Sequence, residues 1–169
     1  MTDKQRAGRN RTLTLTPEEQ VRYSRRLITL TSGMTAEQLY NKTIHQDLFE
    51  AIEYLPKAFV DLMIVDPPYN LTKSFNGRTF TRMENEQYAA WLDSWLSRLM
   101  PVLKPTASVY ICGDWRSSHA IYEVASRYLH VRNRITWERE KGRGALTNWK
   151  NASEDIWFCT VSNKYVFHV

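Results

Sequence analysis

The residues best suited to chemistry form the run Asp66-Pro67-Pro68-Tyr69-Asn70, which directly follows the apolar segment 60–65. Neither proline has an N–H donor and each fixes φ near about −65°, so a paired central strand cannot continue through them. The sequence therefore predicts a stiff turn at the carboxyl end of a buried strand, with acceptor oxygens beside an aromatic ring. Ligands of open α/β sheets bind at that edge.

The surrounding pattern predicts strands that alternate with helices, which is typical of an α/β fold with a mostly parallel sheet flanked by helices. The clearest helix is 86–100, where large apolar residues recur every three or four positions. The other predicted helices are 17–28, 48–55, 117–129 and a short one starting at Thr35. The predicted strands are 42–47, 60–65, 108–113, 130–138, 153–161 and one that begins at 164.

Composition limits the class of protein. A chain of 169 residues with 43% hydrophobic and 24% charged residues suits one globular domain. We expect no membrane span, since no apolar stretch reaches the ~18–20 residues that a bilayer requires. Cys112 and Cys159 are predicted to be buried free thiols, which fits a reducing cytoplasm, and no Cys/His cluster has the spacing of a metal site.

Basic residues form an amino-terminal arm, with Arg22, Arg25 and Arg26 close behind it, and a second group between Arg132 and Lys150. The formal net charge is +5. Residues 1–16 are predicted to form a flexible basic tail ahead of a domain at 17–169. Residues 71–82, which include an Asn-Gly turn signal, and residues 139–150 are predicted to be basic loops. Each group is either a solvated surface or a contact for a polyanion such as nucleic acid, and composition alone does not decide between them.

The Asp66–Tyr69 run after an apolar strand resembles motif IV of the DNA amino-methyltransferases, of the permuted class in which this motif precedes the cofactor motif. The resemblance extends from about Ile44 to Phe167. It implies an incomplete class I methyltransferase-like Rossmann fold and methylation of exocyclic N6 of adenine or N4 of cytosine. S-adenosylmethionine would be the methyl donor, and the target base would be flipped out of double-stranded DNA.

The resemblance also implies roles for individual residues. Asp66 and the Pro67 carbonyl would orient the amine, Pro68 would fix the turn, and Tyr69 would stack on the base. Asp66 would also lie beside the cofactor, and Asp47 would either contact its adenosine or cap the following helix. Asn70 is interpreted as a brace for the turn and as a DNA contact. The other predicted DNA contacts are Lys73, Arg78, Arg82, Arg139, Lys141, Arg143 and Lys150.

One expected motif of the family is missing from the sequence. The Gly-rich cofactor turn, roughly Phe-x-Gly-x-Gly, does not occur around any of the six glycines. Without that half, the strand at 60–65 would have an open, apolar edge. We therefore expect the catalytic half of a split or truncated enzyme, whose partner chain carries the Gly-rich motif, although homodimer exchange or a rearranged sheet would also close the edge.

Three functions remain open at this level. Asp at the first motif position favours adenine-N6 over cytosine-N4 methylation within the family. A non-catalytic nucleic-acid-binding or regulatory subunit would keep the same fold. Enzymes with related Pro-Pro-Tyr motifs that act on RNA or on protein amides form the third alternative.

Overall fold

The computed structural model of the protein describes residues 15–75, 78–143 and 149–168, and the side chains of residues 75, 78 and 140–143 are outside the description. Nearly all of the predicted basic tail, the Asn-Gly turn at 76–77 and residues 144–148 of the predicted basic loop thus lie outside the described residues. No helix in the described part is long and apolar enough to cross a membrane. The described residues also contain no group of three or more His, Cys, Asp or Glu side chains that could hold a metal ion.

Helices and strands alternate along the described chain. The helices are α1 (Pro17–Ser24), α2 (Ala36–Leu39), α3 (Leu48–Ala51), α4 (Asn85–Leu99) and α5 (Ser118–Tyr128), with short 3-10 turns at Ile52–Tyr54 and Met100–Val102. The strands are β1 (Leu27–Ile28), β2 (Thr43–Ile44), β3 (Val60–Val65), β4 (Lys73–Phe75), β5 (Arg78–Phe80), β6 (Leu103–Gly113), β7 (His130–Arg143) and β8 (Asn151–Thr160).

Four strands form the main sheet in the spatial order β3-β6-β8-β7. β3 and β6 are parallel, whereas β8 is antiparallel to both β6 and β7. Consequently β3, β6 and β7 run in one direction, which confirms the α/β class and the mostly parallel sheet. β8 is reversed because the segment between Arg143 and Asn151 is too short for a crossover, which needs about a dozen residues.

Helices α4 and α5 cover one face of the main sheet, which we call the helix face. The predicted stripe of α4 is confirmed, since Tyr88, Leu92 and Leu96 are almost fully buried and Trp91 packs against the same core. Ile121 and the neighbouring apolar residues of α5 complete this layer. The strands contribute alternate residues to it, because successive side chains of a strand point to opposite faces.

The opposite face of the main sheet, which we call the open face, is only partly covered. Ile64 is paired with Tyr110, and Tyr110 is paired with Phe158, so these three side chains lie in one row. Phe158 is covered by the rings of Tyr165 and Phe167. At the β3 end of the row, however, Ile64 is 69% exposed, and β3 is the edge strand with β6 as its neighbour in the main sheet.

Some predicted boundaries are wrong. The helix from Pro17 ends at Ser24 instead of Ile28, because Leu27 and Ile28 pair with residues 43 and 44 as strands β1 and β2. Residues 164–168 form no strand, since Tyr165 and Phe167 pack on Phe158. The predicted loop at 139–150 begins late, because β7 continues as a strand to Arg143.

Candidate active site

The candidate site is the turn that follows β3. Val65 ends the strand, and the next residues are an exposed Asp66, a buried Pro67 and a half-buried Tyr69. Val65 packs against the helix-face core, so alternation directs Asp66 toward the open face. The turn therefore holds a carboxylate at the carboxyl edge of a parallel pair of strands, as the sequence predicts.

Buried polar groups hold this turn from the helix face. The Tyr88 hydroxyl donates to the Pro68 carbonyl over 2.9 Å. The Ser117 hydroxyl oxygen accepts from the Asn70 N–H over 3.2 Å and itself donates to Asp114 over 2.7 Å. Burial raises the pKa of Tyr88 to about 12, and the Asp114 charge contributes to that rise. Tyr88 therefore remains protonated and can keep donating at neutral pH.

Asn70 joins the turn to the segment that follows it. Its side-chain amide donates to the Met83 carbonyl over 2.8 Å, and its side-chain oxygen accepts from the Met83 N–H over 2.7 Å. These two bonds close the segment that contains the β4–β5 hairpin. Asn70 is only 5% exposed, so the structure shows it as the brace, and its contact with DNA remains a prediction.

Five polar side chains surround the space in front of the turn, and we call them the site cluster: Asp66, Tyr69, Cys112, Arg139 and Glu154. The Tyr69 hydroxyl donates to Glu154 over 3.4 Å, and Glu154 forms an ion pair with Arg139. Burial, followed by the nearby Asp66 carboxylate, raises the pKa of Tyr69, whereas Arg139 lowers it. Burial and the Asp66 charge likewise raise the pKa of Cys112. Tyr69 and Cys112 are therefore neutral at physiological pH.

Asp47 lies outside the site cluster. It is the N-cap of α3, and its side chain accepts from the Phe49 N–H over 2.9 Å. The strand before it, β2, pairs with β1 in a separate two-stranded sheet. The capping alternative for Asp47 is thus what the structure shows, and contact with a cofactor remains a prediction.

The predicted DNA-contacting cations lie in different environments. Lys73, Arg82 and Lys150 are exposed, and Lys73 and Arg82 lie at the two sides of the β4–β5 hairpin. Arg78, Lys141 and Arg143 lie on strands, but their side chains are outside the description. Arg139 is less exposed, because its partly buried guanidinium pairs with Glu154, and its contact with DNA remains a prediction.

The site predicted from the sequence lacks Glu154, Cys112 and the Ser117–Asp114 pair. Ser117 and Asp114 could not be found from spacing, since their contacts to the turn depend on how α5 meets β6. Glu154, by contrast, could have been predicted to need a partner from the sequence pattern of its strand. It shares a strand face with Ile156 and Phe158, and a carboxylate on such an apolar face calls for a partner.

Comparison with known proteins identifies the family. The DNA methylase family model for N6 and N4 enzymes matches residues 60–168, which include the turn and the whole main sheet. The chain belongs to this family. Two curated relatives are the type II methyltransferase M.HpaI of Haemophilus parainfluenzae, at 28% identity, and the DNA adenine methyltransferase YhdJ of Escherichia coli, at 29% identity. The matches cover 76% and 56% of this chain, and 41% and 32% of the relatives.

Solved structures of DNA methyltransferases share the fold of this family member. The PvuII DNA methyltransferase, which is cytosine-N4-specific, superposes with a TM-score of 0.57 at 16% identity, over 72% of this chain and 49% of the other. A DNA modification methylase of Thermus thermophilus complexed with S-adenosyl-L-methionine gives a TM-score of 0.53 at 16% identity, over 73% and 54%. The chain thus spans about half the length, or less, of the proteins that it matches.

Proposed function

We propose that this chain is the catalytic, base-binding part of an S-adenosylmethionine-dependent DNA methyltransferase that acts on N6 of adenine. The observation that carries the proposal is the braced turn, in which Asp66 and Tyr69 face the open side of the sheet while buried groups hold Pro68 and Asn70 from behind. A preorganised set of acceptors on a rigid element is what a positioned amine requires.

The chemistry follows from the electronic structure of the substrate. An exocyclic amine is a poor nucleophile because its lone pair is delocalised into the ring. Asp66 and the Pro67 carbonyl would each accept one amine N–H, which localises the lone pair and directs it away from the ring plane. Tyr69 would stack on the flipped base, an interaction worth roughly 1–3 kcal/mol per base in single-strand binders.

S-adenosylmethionine would supply an electrophilic methyl group, whose transfer to the amine nitrogen releases a neutral thioether and one proton. The residues of this chain fit one side of such a donor site. The exposed Asp66 carboxylate lies at the open face, beside the uncovered edge of β3. No Phe-x-Gly-x-Gly turn occurs in the sequence to hold the methionine end of the donor.

A second polypeptide segment would therefore complete the donor site. The edge of β3 supports this proposal, because Leu62 and Ile64 are 54% and 69% exposed there and the strand has a neighbour on one side in the main sheet. An uncovered apolar edge strand is a template for pairing with another strand. We propose that the cofactor-binding half pairs with this edge and covers the open face.

The choice of adenine rests on Asp66 at the first position of the motif. The comparisons support amine methylation more broadly, since one relative is an adenine methyltransferase and one fold neighbour is cytosine-N4-specific. Nucleoside mass spectrometry of methylated DNA distinguishes the two products directly. N6-methyladenine is the expected product, and N4-methylcytosine would contradict the choice of base.

The test is methyl transfer to DNA by the chain co-purified with the product of its neighbouring reading frame. Asp66→Ala should lower the rate by about 10²–10³-fold, the usual cost of removing one preorganised polar group from a transition state. Tyr69→Ala should lower it by about tenfold or more through lost stacking. Asp61→Ala is the matched control, because this exposed acid lies on β3, the strand that precedes the turn, and is paired with Lys104.

The control variant should keep the wild-type rate. Methylation at full rate by Asp66→Ala and Tyr69→Ala would contradict the catalytic assignment. Calorimetry with S-adenosylmethionine, on the chain alone and on the co-purified complex, tests the origin of the donor site. Tight binding of S-adenosylmethionine by the chain alone would contradict the proposal that a second segment completes the donor site. A complex that binds DNA but does not bind S-adenosylmethionine would indicate a non-catalytic subunit.

A further inference from the structure

The turn is held from behind by buried bonds, but the aromatic ring of Tyr69 has a separate contact in front. Its hydroxyl donates to Glu154 on β8, and Glu154 is ion-paired with Arg139 on β7. The two strands are adjacent, with Glu154 directly opposite Trp137. A chain of contacts thus runs from the far edge of the sheet, through Arg139 and Glu154, to the tip of Tyr69.

Strand alternation explains why these side chains meet. Glu154 has the same parity as Ile156, whose cross-strand partner is Cys112, and these residues lie on the open face. Arg139 is two residues from Trp137, which is opposite Glu154, and its ion pair with Glu154 places its guanidinium on that face as well. The side chains of Arg139 and Glu154 are only 28% and 18% exposed, which places the ion pair within the site and not on its solvated rim.

We propose that Glu154 and Arg139 are positioning residues that fix the ring of Tyr69 for stacking on the target base. The inference rests on the base-binding role in the proposed function. A stacking ring that is already held in place loses less conformational freedom when the base arrives. Glu154 fixes the hydroxyl end of that ring, and Arg139 keeps the Glu154 carboxylate in reach.

Arg139 has a second effect on the same site. Asp66 and Glu154 are two carboxylates that both lie close to Tyr69. Without the guanidinium, their like charges would disfavour each other and favour a different side-chain arrangement. The cation therefore allows an acceptor for the amine and an acceptor for the Tyr69 hydroxyl to occupy one small site.

A purely structural role for the pair is the competing explanation, since an arginine and an acid on neighbouring strands also join the sheet. The chain offers a matched control in Arg134 and Asp155, which form the equivalent β7–β8 pair at 3.7 Å. Asp155 lies on the helix face, where it accepts from Ser118 of α5. Arg134→Gln should therefore leave base binding unchanged, whereas Arg139→Gln should weaken it.

The experiment is a double-mutant cycle that measures binding of an unpaired base in the absence of any methyl donor. The probe is a DNA duplex with one 2-aminopurine opposite an abasic site, so that the base is already unpaired and no recognition sequence is required. The fluorescence of the probe is titrated with the chain to give an apparent dissociation constant. The variants are Tyr69→Phe, Glu154→Met and the double variant, with unfolding midpoints measured on each.

Tyr69→Phe and Glu154→Met should each raise the dissociation constant by about three- to tenfold, a range suited to one long hydrogen bond to a charged acceptor. The double variant should bind no more weakly than the weaker of the two single variants, because both substitutions remove the Tyr69–Glu154 contact. Glu154→Gln should retain part of the wild-type affinity, since its amide oxygen can still accept from the hydroxyl.

Several results would overturn the inference. These are additive effects in the cycle, wild-type affinity in Glu154→Met, an equal loss in Arg134→Gln, or effects that follow the unfolding midpoints alone. A wild-type chain that gives no 2-aminopurine signal would also overturn it. If the chain captures the base and the two substitutions are coupled, but no DNA is methylated, only the proposed activity is contradicted. If DNA is methylated but the effects of the two substitutions are additive, only this inference is contradicted.

Discussion

The two faces of the main sheet differ in how completely other elements cover them. On the helix face, α4 and α5 bury a continuous apolar layer, and polar groups such as Ser117 and Asp114 are satisfied within it. On the open face, Leu62 and Ile64 are exposed beside a cluster of ionisable side chains. The comparison indicates that the helix face provides most of the packing of this chain, whereas the open face carries the residues to which we assign the chemistry.

This difference explains how a half-covered sheet can still hold a precise turn. The contacts that fix the turn come from the helix face, through Tyr88, Ser117 and the Asn70–Met83 bonds. The side chains presented by the turn point away from that face. A partner that covers the open face would therefore meet a turn that is already formed.

The first prediction compares one isoleucine from each face. Ile121→Ala, at a side chain 1% exposed on the helix face, should lower the free energy of unfolding by about 2–5 kcal/mol. Ile64→Ala, at a side chain 69% exposed, should change it by less than about 0.5 kcal/mol. Urea denaturation of both variants measures the difference. Equal losses would show that the open face is covered by the chain itself.

The second prediction concerns the brace behind the turn. Asn70→Ala should lower the free energy of unfolding by about 1–3 kcal/mol, because the N–H and C=O of Met83 lose their partners in a partly buried position. Ser74→Ala is a suitable control, since the Ser74–Thr79 contact lies in the same segment but is exposed. Thermal unfolding compares the two variants. A neutral Asn70→Ala would mean that water replaces both bonds and that the segment is held elsewhere.

Much of the helix face could be predicted from the sequence, because its signal is local. The stripe of α4 follows from residues three and four apart, and the prolines after Val65 end β3 where the structure ends it. The apolar run at 60–65 likewise predicts the strand β3, which lies at the edge of the main sheet. These features depend on residues that are close together in the chain.

The rest of the site could not be predicted, because it depends on register between distant strands. Glu154 reaches Tyr69 across 85 positions of sequence, and no spacing rule brings them together. Arg132 makes another contact between distant residues, because its guanidinium donates to Thr160 and lies over the ring of Tyr165 in the segment after β8. Charge counts therefore overestimate the number of cations left for a polyanion.

The third prediction concerns the Tyr88 hydroxyl under the turn. Tyr88→Phe removes the hydrogen bond to the Pro68 carbonyl and keeps the buried ring. The free energy of unfolding should therefore fall by about 1 kcal/mol. The methylation rate of the complete enzyme should fall as well, because the turn that carries Asp66 loses one of its supports. Tyr128→Phe, which loses a bond to Asp93 away from the turn, is the control. An equal rate in both variants would contradict the positional role of Tyr88.

The last and smallest effect uses the two cysteines as reporters of the two faces. Cys159 packs in the helix-face core and burial raises its pKa to about 12, so alkylation at about pH 8 should require global unfolding. Cys112 lies on the open face and should react faster than Cys159, though more slowly than a free thiol, because burial and the Asp66 charge raise its pKa.

Removing the Asp66 charge should change the alkylation rate of Cys112 and leave that of Cys159 unchanged. Asp66→Asn should lower the pKa of Cys112, increase its thiolate fraction and accelerate its alkylation by less than about tenfold, the effect of one pKa unit. The rate of Cys159 should not change. Mass spectrometry of alkylated peptides measures both rates in one sample. Binding of the cofactor half should protect Cys112 as it covers the open face, and acceleration at Cys159 instead would mean that the variant had loosened the helix face.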